Sequence, residues 1–145
     1  MLGRGRWSDR RGCLTERLDE QHSGRVRSAQ GSFEVGGGDP DGFGSATAVV
    51  VGADTLCYAL VVKKLDQPTA AHIHRGPKGV NGPVVIPFNP PNDGTAGTSS
   101  GCVSGVDPAL LDDVLAHPAQ YYWNVHTTTF PGGAIRGQVF VKPKA

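Results

Sequence analysis

TLCYALVVKKL, residues 55–65, decides the fold class. A strand turns successive side chains to opposite faces, so Leu56, Tyr58, Leu60 and Val62 share one face while Cys57, Ala59 and Val61 share the other. A period of two, carried by branched and aromatic residues, is the signature of a half-buried strand. Turn residues bracket it: Gly52, Ala53 and Asp54 before, Asp66, Gln67 and Pro68 after.

The same texture continues outward. Upstream, SATAVVV (45–51) reads as a strand and GSFEV (31–35) as the first one, with the turn-rich GGGDPDGFG (36–44) between them. Downstream, TAAHIHRG (69–76) and PVVIPF (83–88) read as two more. YYWNVHTTTF (121–130) and AIRGQVFV (134–141) form a hairpin across Pro131, Gly132 and Gly133. NPPNDGTAGTSS (89–100) is too rich in Pro, Gly and Ser for regular structure and reads as a surface loop. The one helix expected is Asp107 to Ala116. Asp107 caps it, Pro108 suits its first position, and Leu110, Leu111, Val114 and Leu115 make its apolar stripe. With 21 glycines, 11 prolines and 19% charged residues, the composition fits short strands joined by tight turns. The expected fold is all-β: a Greek-key β-sandwich of seven to eight strands, immunoglobulin-like or Cu,Zn superoxide dismutase-like, with one short helix.

At 145 residues the chain suits one domain, expected over 31–145. Residues 1–30 carry seven arginines against four acids and few apolar residues, and read as a disordered Arg-rich leader with a short helix over 14–21 at most. The remainder has seven bases, scattered, against nine acids. A nucleic-acid module needs a basic stripe on its folded part, so nucleic acid is not the expected partner. No apolar run is long enough to span a bilayer, and no signal peptide is visible at the start.

Three blocks carry a resemblance to a known family: AAHIHRGPKGVNGPVV (70–85), YYWNVHTTTFPGGAIRGQV (121–139) and DPDGFGSATAVV (39–50). They are supported by CYALVVKKLDQPTAAHIH (57–74) and LLDDVLAHPAQYY (110–122). Together they resemble the chordin-type, or CHRD, domain. That family occurs in chordin, an extracellular antagonist of bone morphogenetic proteins, and as a stand-alone unit in many bacterial proteins, most of them exported and of unknown function. The resemblance implies the fold and a secreted or cell-surface location, and little chemistry. Growth-factor antagonism is not implied, because chordin's cysteine-rich modules have no counterpart here. Two departures stand out: Glu34-Val35-Gly36-Gly37 replaces a common proline pair, and the arginine-rich start replaces an export signal.

His72 and His74 lie two apart on an expected strand, so both imidazoles leave one face while Ala71 and Ile73 take the other. His126, on another strand, shares its face with Tyr122 and Asn124. Neutral imidazole suits copper and zinc. The pattern is similar to the copper site of Cu/Zn superoxide dismutase, without the further His and Asp that would hold a second metal; a single copper is the cofactor that fits. Arg136 either guides an anion to such a metal or holds the hairpin by pairing with an acid or a carbonyl. His117, at the helix end, complements the helix dipole, and His22 has no assigned role.

Cys57 and Cys102 are expected to form a disulfide, contributing on the order of 3–4 kcal/mol and requiring an oxidising compartment; Cys13 is left over. Asp39 and Asp41 resemble half a calcium loop but lack the completing acid, so they read as a polar turn. No nucleophile elbow, facing carboxylate pair or phosphate loop is present. The functional expectation is a single-copper β-sandwich. Copper-dependent redox is the one enzymatic activity it suggests. One alternative is a non-enzymatic interaction or adhesion module that meets a protein partner through its loops and Tyr121, Tyr122 or Trp123; another is a structural unit in which His72, His74 and His126 only hydrogen-bond loop and hairpin backbone.

Overall fold

The structure is a computed structural model that describes residues 23–92 and 97–142. The expectations for residues 1–22, including the disordered leader, its helix, Cys13 and His22, lie outside the described residues. Among the described residues nine strands follow in chain order: β1 Ser23–Gln30, β2 Phe43–Val51, β3 Thr55–Lys63, β4 Pro68–Arg75, β5 Val84–Phe88, β6 Thr98–Val103, β7 Tyr121–Thr127, β8 Ile135–Gln138 and β9 Phe140–Val141. One helix, α1 (Pro108–Ala116), precedes β7.

Hydrogen bonding orders the strands β5-β4-β7-β8-β1-β2-β3-β6, with β9 pairing β1, and every pair is antiparallel. The path folds over at β8–β1, where Gln30 opposite Arg136 is the joining pair. This brings β5-β4-β7-β8 face to face with β1-β2-β3-β6 in a barrel-like sandwich. The two ends of the path meet without a ladder: the Tyr58 hydroxyl on β3 accepts from the Asn89 amide just past β5 (3.0 Å), and Ser99 Oγ on β6 donates to the Asn89 carbonyl (2.8 Å).

The period of two in β3 is realised as read: Leu56, Tyr58, Leu60 and Val62 are buried. Facing them are Ala71 and Ile73 of β4, Ile86 and Phe88 of β5, and Trp123 and Val125 of β7. Phe88 stacks on Trp123 at 4.5 Å and meets Tyr58 of the opposite half at 4.3 Å. Each large side chain so buried contributes roughly 1.5–3 kcal/mol. Helix α1 forms as its cap predicts, with Asp107 accepting from the Ala109 amide at 2.9 Å, and it buries Leu111 and Val114. It docks through Asp113, which accepts from the Tyr121 hydroxyl and faces Arg75 at 3.6 Å; these contacts hold the Asp113 carboxyl below its ordinary range. His117 bonds back to the same carboxylate through Nδ1 at 2.9 Å.

Three sequence readings need correction. The first strand is Ser23–Gln30, inside the stretch read as leader, and Gly31–Phe33 of GSFEV is a single 3-10 turn. A strand needs only backbone pairing, and β1 obtains it from β2 on one side and from β8 and β9 on the other. The loop read as extending to Ser100 gives way at Thr98 to β6, because Thr98–Val103 pairs with β3. AIRGQVFV is two strands, broken at Val139 as the chain leaves β7 for β1. Cys57 and Cys102 form the expected disulfide, as directly opposed residues of β3 and β6.

Candidate metal centre

The alternation that buries Ala71 and Ile73 turns His72 and His74 to the outer face of β4. The same rule on β7 buries Tyr121, Trp123 and Val125 and turns Tyr122, Asn124 and His126 outward. Register completes the site. His74 lies opposite Tyr122, His72 opposite Asn124, and His126 opposite Ala70, so His126 sits diagonal to His72. The ring centroids are 5.0 Å apart for His72–His126, 5.4 Å for His72–His74 and 5.9 Å for His74–His126.

Two backbone carbonyls assign the tautomers. His74 Nδ1 lies 2.9 Å from the Gly82 carbonyl and His126 Nδ1 lies 2.9 Å from the Pro131 carbonyl. A carbonyl only accepts, so both Nδ1 atoms carry the proton and both Nε2 atoms keep a lone pair. Those two Nε2 atoms and Nδ1 of His72 are buried and have no hydrogen-bond partner. One nitrogen from each ring falls within 4.8 Å of the others. A metal held at about 2.0–2.1 Å from each would bring them to about 3.3–3.6 Å, a modest closing of three side chains. Burying a ring nitrogen without a partner costs on the order of 1–3 kcal/mol, so three together, two of them acceptors, are an arrangement that a cation relieves.

Electrostatics keeps the rings ready. Burial pulls His72 down to about 4, with His126 and His74 adding to it. Burial also lowers His74 and His126; the bonds to Gly82 and Pro131 pull the other way, and the nearby Arg136 charge depresses both further. All three are therefore neutral near pH 7, the form that ligates.

The outer face is closed by the chain after β4 and by Glu34. Tyr122 is sandwiched, its ring stacked on His74 at 4.8 Å and 10°, with the Arg136 guanidinium 4.1 Å over its other side. Its hydroxyl accepts from the Gly82 amide at 3.1 Å, fixing the residue whose carbonyl orients His74. A side chain at Gly82 would place its Cβ 1.6 Å from the Arg75 carbonyl, so only glycine allows this approach. Arg136 donates to the Val80 carbonyl at 3.1 Å and to Asn81, and pairs with Glu34 through Nε at 2.9 Å and Nη2 at 2.8 Å. Glu34 also accepts from the Asn124 amide, which donates to the Ile135 carbonyl at 3.2 Å as well. Burial holds the Glu34 carboxyl above its ordinary value although Arg136 and Asn124 pull it down. Gly133, at φ 138°, leaves the space that Glu34 fills.

His72, His74 and His126 thus come together as the sequence suggests. Arg136 is close to them, but its side chain is 3% exposed and its donors are taken by Glu34, Val80 and Asn81, so in this structure it braces the loop and hairpin. Tyr121, Tyr122 and Trp123, read as aromatics for a partner, are 0, 2 and 3% exposed and offer no such surface. Both faces of β7 are covered, one by the core and the other by the loops, which a one-sided sheet does not anticipate. Asp39 accepts from the Asp41 and Gly42 amides, the polar turn expected. A cleft of about 290 Å³ bounded by Lys64, Asp66 and Asn92 includes no histidine. Glu34 was missed as a site residue; its signal was a lone acid in an apolar stretch, with a single arginine in the closing hairpin to match it.

Residues 27–139 match the CHRD domain. The chain belongs to the CHRD domain family. The match spans β2 to β8 and all three clustered histidines. No curated protein and no solved structure matches the chain. Among the described residues, no helix is long and apolar enough to cross a membrane.

Proposed function

We propose that this CHRD domain is a metalloprotein binding one copper ion through His72, His74 and His126. The observation that carries the reading is the trio of buried ring nitrogens without partners, two of them held as acceptors by backbone carbonyls. The donor set is three neutral imidazoles, which copper and zinc both accept. At a nitrogen site Cu(II) binds tightest of the divalent first-row ions. Copper, when bound, would supply one-electron chemistry.

The chain's own residues orient the rings, exclude water from one side through Tyr122 and the 76–82 loop, and keep protons off the ligating nitrogens near pH 7. The Cys57–Cys102 disulfide supports export to an oxidising compartment, as the family's other members suggest.

The test is a copper and zinc titration of the metal-free full chain with elemental analysis, beside a His72→Ala/His74→Ala variant. One copper per chain, lost in the variant, is expected. Sub-stoichiometric uptake, or uptake that the variant retains, would refute the assignment and leave a structural module.

A further inference from the structure

Asp66 is exposed in the turn between β3 and β4, where Lys64 takes a left-handed backbone (φ 57°). Its Oδ2 accepts from Thr128 Oγ1 at 3.0 Å, from the Thr129 amide at 3.0 Å and from Thr129 Oγ1. Beside it the Thr128 amide donates to the Gln67 carbonyl at 3.2 Å. All of these land in one place, the loop joining β7 to β8.

That loop is otherwise a closed turn. The Thr127 amide donates to the Phe130 carbonyl at 3.3 Å, the Phe130 amide to Thr127 Oγ1 at 3.1 Å, and the Gly133 amide to the Phe130 carbonyl at 3.1 Å. The turn presents the Pro131 carbonyl to His126 Nδ1. We infer that Asp66 is a positioning residue for the metal centre: by clamping the β7–β8 loop it holds the Pro131 carbonyl, and through it the ring orientation and tautomer of His126.

The inference rests on the metal reading for its consequence, although not for its geometry. The side chains of Thr127, Thr129 and Thr128, together with the Thr129 amide, also pull the Asp66 carboxyl down to about 2, so the clamp is charged at every pH at which imidazole ligates. Groups that orient a ligating histidine from outside typically change metal affinity by about 10–100-fold when removed. A mere loop staple at this exposed position would lower the melting temperature and leave His126 untouched.

The test uses the full chain as wild type, Asp66→Ala, Asp66→Asn, and a Thr128→Val/Thr129→Val variant that removes the two hydroxyl donors and keeps the charge. In the metal-free proteins, nitrogen-15 NMR of the His126 ring reads the tautomer, assigned by its loss in His126→Gln. Wild type should show the proton on Nδ1. Asp66→Ala and the double threonine variant should show a mixture, and Asp66→Asn, which keeps an acceptor, should recover most of the wild-type signal. Copper affinity by competition should fall about 10–100-fold in Asp66→Ala with stoichiometry unchanged. An unchanged His126 tautomer in both Asp66→Ala and the threonine variant overturns the inference, as does an altered tautomer with affinity within about twofold of wild type. If wild type takes up no copper, the metal reading falls, and the metal-free NMR alone decides the role of Asp66.

Discussion

Acidifying the metal-free protein should destabilise it across a window set by the clustered histidines. In the unfolded chain an imidazole titrates near 6.5, whereas burial among its neighbours holds His72 at about 4. Between those values the unfolded chain carries a proton that the folded one refuses, so stability rises with pH. The contribution is complete above about 6.5 and is lost as the pH falls toward 4. The gap corresponds to roughly 3 kcal/mol at full strength, and because His72 is only half-buried, solvent screening reduces the expected effect to about 1–2 kcal/mol. His74 and His126, lowered for the same reason, add in the same direction.

Two carboxylates act at lower pH and one acts within the same window. Asp66 and Asp113 have lowered values, so their contributions disappear only below the ordinary carboxylate range. Glu34, raised by burial, gives an opposite and stabilising drift as it takes up a proton. Urea denaturation with a chelator present, at several pH values from about 7.5 to about 4.5, measures the slope, and His72→Gln should flatten it. A slope that His72→Gln leaves unchanged refutes the assignment of these histidines as a buried neutral cluster.

Three more predictions concern the surroundings. Glu34→Ala should cost about 3–5 kcal/mol in urea denaturation because it strands the buried Arg136 charge, and a Glu34→Ala/Arg136→Met double variant should regain part of the loss. Gly82→Ala drives a methyl into the Arg75 carbonyl and should displace the loop that orients His74; copper affinity is expected to fall at least about tenfold, measured by competition. Reducing Cys57–Cys102 should lower the unfolding free energy by on the order of 3–4 kcal/mol in paired melts with and without a reductant, and the proposed copper stoichiometry should hold, because the bridge joins β3 to β6 in the half that carries none of the three clustered histidines.

Residues 55–65 showed one face of β3 directly, because a strand buried on one side writes its burial as alternation. The pair His72/His74 and the face shared by Tyr122, Asn124 and His126 followed from the same rule, and the α1 cap from Asp107 and Pro108. What escaped depends on contacts distant along the chain. SGRVRSAQ has too little apolar content to announce a strand, and β1 is held in the sheet by backbone bonds to β2, β8 and β9. The pairing of Glu34 with Arg136 spans 102 positions and is decided by a turn, not by local pattern. Burial of Tyr122 and Arg136 on the outer face follows from a loop that folds back over the sheet, and no period in β7 or β8 encodes it. Asp66 read as an ordinary turn residue because nothing near it in sequence names the threonines it receives.

The meeting of Tyr58, Asn89 and Ser99 has a consequence for life at high local concentration. An open sandwich ends in two unpaired rims, each a template onto which another chain can add by main-chain bonding. Here the two rims are turned toward one another and tied through side chains. One of them, β5, also carries Pro87, which has no amide hydrogen to offer an incoming strand. Such a unit can be crowded beside its own copies without its strands recruiting each other into fibres.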